Sequence, residues 1–355
     1  GTFEHWPQRL SELKVMDPCC GSGHFLVAAL LMLTPMRMQL EGLSAREAVD
    51  AVLRENLHGL ELDKRCVELA AFAVAFTAWR YPGAGGYRKL PNLNIACSGL
   101  AVNATKEEWL GLAAGHPEAQ NALDQLYTLF QNAPVLGSLI DPRRVRQDLF
   151  TTDYQVVAEL LEKALSNGHS DEVHEAGVVA YGLARAASLL AGKYHWVITN
   201  VPYLKSAKHS DTLRSFCEDN YPEAKGDLAN VFLERCLQFL VRGGTISIVM
   251  PQNWLFLTSY KKFREKLLGN DTWHLIARLG PGAFETITGE VVQAILLTMS
   301  KGIAPEGHTL CGLDVSEPRS AEEKAFQLVD AEVKELEQAA QMRNPDARVV
   351  LEVRN

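Results

Sequence analysis

The sequence has no run of consecutive apolar residues approaching the about 18 to 20 that a membrane-spanning helix requires, and residues 1–14 lack the layout of a signal peptide. A cytoplasmic protein without a membrane partner is the expectation. The seven cysteines, at positions 19, 20, 66, 97, 217, 236 and 311, are odd in number and form no C-x-x-C pair, which argues against a disulfide framework and a zinc knot. Adjacent Cys19 and Cys20 are poorly placed to chelate one ion, so reduced, buried thiols and no metal site are expected. Positive charge is not in excess either: 35 Lys and Arg against 43 Asp and Glu leave a net charge of −8. An enzyme acting on nucleic acid normally needs a basic surface to neutralise phosphates. Any such role here requires basic groups gathered on one face, or a part elsewhere that holds the nucleic acid. Repeats and low-complexity tracts are missing as well.

What is present is a chain of 355 residues, 47% of them hydrophobic, enough to bury one large core with an embedded insertion. It opens without Met and its first motif starts at Asp17, which reads as a fragment of something longer. Residues 13–16 are a short apolar run leading into Asp17-Pro18-Cys19-Cys20-Gly21-Ser22-Gly23 and then a helical stretch, 24–33: a strand, a glycine turn and a helix. Ser44 and Glu47 predict a capping box for a helix to about Arg54; residues 57–62 read as a second strand, and Asp63 caps a helix through Trp79. Residues 81–94 form a loop rich in Pro, Gly and Asn, and 93–96 suit a short third strand.

Residues 101–192 read as a largely helical insertion. Strands follow at 195–199, 245–250, 273–279 and 291–299, with helices at 227–241, stopped by Gly243-Gly244, and 259–268. This alternation predicts an open twisted α/β sheet of Rossmann-like type, mostly parallel with one antiparallel strand, helices on both faces and ligands at the carboxyl ends of strands. The domain reading is a catalytic domain over 1–300 and, over 301–355, a polar linker with a charged helix near 321–341.

A glycine turn between a strand and a helix lets backbone approach a ligand and aims N–H groups at it, and Gly21, Ser22 and Gly23 supply such a turn. The pattern is not the G-x-G-x-x-G of dinucleotide folds, and Asp17 ahead of it suits a cationic ligand better than a pyrophosphate. Glu61, at the end of the second strand, is placed to accept hydrogen bonds from ribose hydroxyls, whereas Asp63 reads as a helix cap. The most informative segment is Asn200-Val201-Pro202-Tyr203 at the end of an apolar strand. An enzyme that alkylates an exocyclic amine without a strong base accepts the amine's protons in hydrogen bonds. The Asn200 side-chain oxygen and the Val201 carbonyl suit that task, Pro202 holds Val201 extended, and Tyr203 offers an aromatic face to a planar base.

Taken in order, Asp17 to Leu26, Gly59-Leu60-Glu61-Leu62-Asp63, Thr199-Asn200-Val201-Pro202-Tyr203, Gly226-Asp227-Leu228 and Gly243 to Pro251 resemble the motifs of amino-group DNA methyltransferases in the γ arrangement. The chain is especially similar to the large, PglX-like methyltransferases of phage-defence and bifunctional restriction-modification systems. The resemblance implies S-adenosylmethionine (SAM) as cofactor, bound by Asp17, Gly21, Ser22, Gly23 and Glu61, with Asp227 lining the junction of cofactor and base sites. It implies a flipped adenine gripped by Asn200, Val201, Pro202 and Tyr203, with Phe284 as a second aromatic against the base.

It further implies double-stranded DNA as partner, held mainly through a recognition domain absent here, with defence-system proteins as further partners. Val201 departs from the usual first Pro of the motif. The third-strand motif is open between Cys97-Ser98-Gly99-Leu100 and Gly137-Ser138-Leu139-Ile140. The expected reaction is direct transfer, requiring the strand ends at Gly21 and Asn200 to share one pocket. Asn200 favours adenine N6 over cytosine N4, whose branch usually opens the motif with Ser. Methylation of a protein glutamine or an rRNA amine, and a catalytically silent SAM-binding scaffold, stay open as alternatives.

Overall fold

In the computed structural model, residues 6–113, 117–144, 171–283 and 292–351 are described. The chain divides into two compact units, Gln8–Lys193 and a second built mainly from Tyr194–Asn355.

In the first unit, β1 (Val15–Asp17), β2 (Leu57–Glu61) and β3 (Asn94–Cys97) pair in parallel in the order β3-β2-β1. The glycine turn leads into α1 (His24–Glu41), which continues eight residues beyond the expected end. Pro35 lies inside it, and its apolar face (Leu26, Ala29, Leu30, Leu33) carries the helix past the proline by burial. The capping box of Ser44 and Glu47 starts α2 (Ala45–Ala51), and a π turn, Val52–Asn56, delivers the chain to β2.

That junction is pinned by buried polar groups. The Arg37 guanidinium donates to Glu41, Glu55 and Asn56, while the Asn56 amide donates to the carbonyls of Leu10 and Leu13 at 2.6 and 2.7 Å. Asp63 caps α3 (Lys64–Arg80) by accepting from Arg65 N–H. Between β3 and β4 the described residues are helical or irregular: α4 (Lys106–Gly111), α5 (Pro117–Leu129), α6 (Ala133–Leu136) and α7 (Asp171–Ala191).

In the second unit the order is β4-β5-β7-β6-β8-β9, formed by β4 (Tyr194–Asn200), β5 (Leu240–Pro251), β6 (Asp271–Gly280), β7 (Ala294–Lys301), β8 (Thr309–Asp314) and β9 (Lys334–Glu337). β4 runs parallel to β5, and β6 to β8; β7 is antiparallel to both its neighbours. The expected antiparallel strand is β7, and β9, antiparallel to β8, is a second that the sequence did not announce.

Helices α8 (Asp211–Asn220), α9 (Leu228–Phe239), α10 (Lys261–Asn270), α11 (Ala321–Asp330) and α12 (Gln338–Arg343) complete the unit. Two local expectations change. Helix α9 stops at Phe239, and Gly243-Gly244 lies inside β5, where the register against β4 jumps from Leu240 opposite Tyr194 to Thr245 opposite Trp196. Beyond Lys301 the chain does not lead away from the sheet: it adds β8 and β9, and the long charged helix expected over 321–341 is broken into α11, β9 and α12.

The core of this unit includes Trp254, Phe263 and Trp273, with ring centroids 5.3 Å (Trp254 to Phe263) and 5.7 Å (Trp254 to Trp273) apart. Beside it the fully buried Arg264 donates to four backbone carbonyls, those of Trp254, Leu257, Asp346 and Ala347, which ties the C-terminal residues to α10. All seven cysteines are free. No single helix among the described residues is long and apolar enough to cross a membrane.

Two stability predictions follow from buried polar groups. Replacing Arg264 by Leu strands four carbonyls; the expected loss is roughly 3–5 kcal/mol in denaturant unfolding, with faster proteolysis near Asp346. His58 is buried with Nδ1–H donating to the Val15 and Asn56 carbonyls, and burial pushes its pKa from 6.5 down to about 4. Its neutral form is favoured in the folded chain, so the unfolded chain binds the proton first. Stability is full above pH 6.5 and falls as pH drops toward 4. Unfolding midpoints measured between pH 7 and pH 4 should show that decline, and His58→Gln should flatten it.

Candidate active site

The first unit presents the glycine turn at the carboxyl end of β1. Asp17 is buried, and its Oδ1 accepts from Cys19 N–H at 3.1 Å; Cys20 N–H bonds the Leu60 carbonyl at 2.9 Å, and Gly23 N–H the Cys20 carbonyl at 2.7 Å. Gly21 N–H donates to Glu61 Oε2 at 2.8 Å, and Glu61 Oε1 accepts from Leu62 and Asp63 N–H at 2.7 and 3.2 Å. A carboxylate has about four acceptor positions, so Glu61 keeps capacity for another donor.

Gly21 and Gly23 both have positive φ, +51° and +87°, which favours glycine at each. A side chain at Gly21 would meet nothing within 4 Å, so the backbone there faces open space; at Gly23 a Cβ would lie 3.0 Å from the Ala70 Cα. Ser22 is the hydroxyl of this turn and contacts His24 Nδ1 at 3.0 Å. The site has a negative field. Burial comes first in raising the Cys20 thiol, followed by the charges of Asp17 and Glu61; Cys66 and Cys97 are raised in the same way by burial and then, among other contributions, by Glu61.

The second unit carries the Asn200 segment at the carboxyl end of β4. Side chains alternate along it: Thr199 is fully buried, Asn200 exposed, Val201 buried and Pro202 exposed. Tyr203 Oη donates to Asn200 Oδ1 at 3.0 Å. Burial, and then the charge of Asp227, push the Tyr203 phenol well above its ordinary range, so it stays a donor at neutral pH. The next residues are zipped to the Gly226-Asp227-Leu228 motif. Ser206 N–H bonds the Gly226 carbonyl at 3.0 Å, Leu228 N–H the Leu204 carbonyl at 2.9 Å, and His209 Nε2–H reaches that same carbonyl at 2.9 Å.

Asp227 is the N-cap of α9, its Oδ1 accepting from Ala229 N–H at 3.0 Å. Tyr260 belongs to this cluster and was not foreseen from sequence. Its hydroxyl lies where a Cβ on Gly226 would be 2.6 Å away, and burial with the Asp227 charge pushes its pKa up to about 12, against a hydrogen bond with Asn230. Its only sequence signal is an aromatic residue after β5, which packing explains equally well.

Thus the structure assembles Asp17, Gly21, Ser22, Gly23 and Glu61 in one place, and Asn200, Val201, Pro202, Tyr203 and Asp227 in another. Phe284 lies outside the described residues. Among the described residues no group of three or more His, Cys, Asp and Glu is placed to hold a metal ion.

The two turn glycines should respond differently to substitution. Gly23→Ala meets α3 backbone as well as positive φ and is expected to lower stability by roughly 2–4 kcal/mol; Gly21→Ala, strained in φ alone, by roughly 1 kcal/mol. Thermal unfolding of the pair measures the difference.

Comparison with known proteins adds the following. Residues 55–284 match the family described as Eco57I restriction-modification methylase. The chain is 31% identical over 301 residues to the adenine-specific methyltransferase PglX of Lacticaseibacillus casei and 29% identical over 301 residues to the adenine-specific methyltransferase BrxX of Escherichia coli O9:H4. These matches take in 83% and 79% of this chain and 24% of each relative, so the chain spans about a quarter of their length. In fold it is similar to a nuclease-deletion mutant of the Type ISP restriction-modification enzyme LlaGI, solved with a DNA substrate mimic. The TM-score is 0.57 at 14% identity, over 93% of this chain and 24% of that one. A complex of DrdV with DNA gives 0.53 at 15% identity, over 92% of this chain and 27% of that one.

Proposed function

Because the chain belongs to the Eco57I restriction-modification methylase family, we propose that it performs the chemistry of a site-specific DNA methyltransferase, moving the methyl group of SAM to N6 of an adenine flipped from the duplex, in a bacterial restriction-modification or phage-defence system. The observation that carries the reading is the end of β4: an exposed Asn200 amide whose oxygen is held by a tyrosine phenol at 3.0 Å, next to an exposed proline.

SAM, when bound, supplies an electrophilic methyl group on a cationic sulfur. The residues of the first unit fit it: an open backbone at Gly21, a carboxylate with spare acceptor capacity at Glu61, and a field negative enough to raise nearby thiols. Glu61 would hold the ribose hydroxyls; Gly21, Ser22 and Gly23 would cradle the methionine part, and Asp17 would add charge complementary to it. In the second unit, Tyr203 stacks on the extruded base, while Asn200 Oδ1 and the Val201 carbonyl accept the two amine protons and turn the nitrogen lone pair toward the methyl group. On transfer the nitrogen would bond the methyl carbon as the carbon–sulfur bond of the sulfonium breaks and leaves a neutral thioether; the nitrogen would give up one proton to solvent, so no strongly basic side chain is required. Asp227 borders the base side, and Phe284 is the second aromatic for the base. DNA is the proposed partner, and with a net charge of −8 the phosphate contacts fall to basic groups gathered on one face or, as the resemblance implies, mainly to a recognition domain outside this chain.

Asn200→Ala should reduce methyl transfer by at least about 100-fold, read as N6-methyladenine in DNA by mass spectrometry, while calorimetry shows SAM binding close to wild type. Wild-type turnover in that variant would refute the assignment.

A further inference from the structure

The segment Gly137-Ser138-Leu139-Ile140, which belongs to the helical stretch between β3 and β4, competes in sequence with Cys97-Ser98-Gly99-Leu100 for the role of third-strand motif. The structure places both at the glycine turn. Gly137 approaches so closely that a Cβ there would lie 2.8 Å from Leu62 Cδ1 and 3.4 Å from Ser98 Oγ. Ser138, 4% exposed, donates its hydroxyl proton to the Pro18 carbonyl at 2.6 Å, across 120 residues of sequence. Its oxygen lies 3.3 Å from Ser98 Oγ; Ser98 in turn directs its N–H and its hydroxyl at the Glu61 carbonyl, at 2.8 and 3.2 Å. A hydroxyl has one proton to give, and Ser138 gives it to Pro18; the single Ser98 proton is shared between two acceptors within reach, the Glu61 carbonyl and Ser138 Oγ.

The consequence lies in the Pro18–Cys19 peptide. Its N–H is held by Asp17 Oδ1 at 3.1 Å and its carbonyl by Ser138, so both ends of that peptide plane are fixed. The other anchors of the turn come from its own residues or from β2 and Glu61 beside it. Removing the Ser138 hydroxyl takes away the bond at the carbonyl end of that plane, and any rotation of the plane would shift Cys19 N–H relative to Asp17 Oδ1.

We propose that Ser138 is a positioning residue for the cofactor: a hydroxyl supplied by the helical insertion sets the conformation of the glycine turn and the aim of Asp17. The proposal rests on the reading that this turn holds SAM.

The test is SAM binding by titration calorimetry on the intact protein, with Ser138→Ala and Ser138→Cys beside wild type. Cysteine fills the site with a larger atom that is only a weak donor, whereas alanine empties it, so a loss common to both variants reports the hydrogen bond rather than packing. Both variants are expected to bind SAM about five- to twentyfold more weakly, with a matching rise in KM for SAM and little change in kcat at saturating SAM or in KM for DNA. If Ser138→Ala does not fold, Ser138→Cys decides alone. Wild-type affinity in a folded Ser138→Cys protein would overturn the proposal, whatever its melting temperature. Failure of the wild-type protein itself to bind SAM would instead bring down the reading on which the proposal rests.

Discussion

Three backbone N–H groups converge on one carboxylate, that of Glu61, and the ligand-facing end of the first unit depends on this convergence. One comes from the turn after β1 and two from the entry to α3, so a single side chain at the end of β2 registers two neighbouring loops against each other. A charged acceptor is suited to this, since charge-assisted bonds to N–H groups are roughly twice as strong as neutral ones. The thiols around it are raised first by burial, and the same charge adds to that. Cys19 and Cys20, conspicuous as neighbours in sequence, then have a plain role: Cys20 is a small buried group packed under the turn, held away from thiolate chemistry by its surroundings.

In the second unit the governing constraint is alternation. A strand sends successive side chains to opposite faces, and this continues two residues past β4, so that Thr199 and Val201 are buried while Asn200 and Pro202 are exposed. The position at which the family's motif usually has its first Pro is therefore an inward-facing one in this chain. Valine fills it with a buried side chain, which restrains the backbone by packing where proline restrains it by its ring. Under the proposed reading that residue supplies a carbonyl in a fixed direction, and either restraint would provide one.

Much of this was legible before any coordinates. The strand, glycine turn and helix around Asp17 to Gly23, the acid at the end of β2, the caps at Ser44 and Asp63, and the strand ending at Asn200 are all local signals, and all occur within a few residues of their expected places. What escaped depends on distant residues. The strands β8 and β9 are short, and they become strands because β6 offers a pairing edge to β8 and β8 in turn offers one to the polar β9. The helix reading of residues 334–337 gave way to that tertiary partner. Tyr260 likewise looks ordinary in sequence, and Ser138 lies in a segment that the sequence left open as one of two candidates; what marks them is the backbone of Gly226 and a Pro18 carbonyl 120 residues away. The Gly243-Gly244 pair, read as a helix stop, lies instead inside β5 at the break in its register with β4.

The reversal of β7 has a geometric consequence. Because β7 runs against β5, its first residue, Ala294, is registered to Pro251 at the end of β5, and the connection arriving from β6 enters the sheet on the edge where Asn200 sits opposite Val249. Gln252 N–H bonds the Gln293 carbonyl at 2.9 Å, one step beyond that register, so the contact between the two chains is carried past the ends of both strands. A strand reversed at this point brings its beginning, rather than its end, to the edge that carries Asn200.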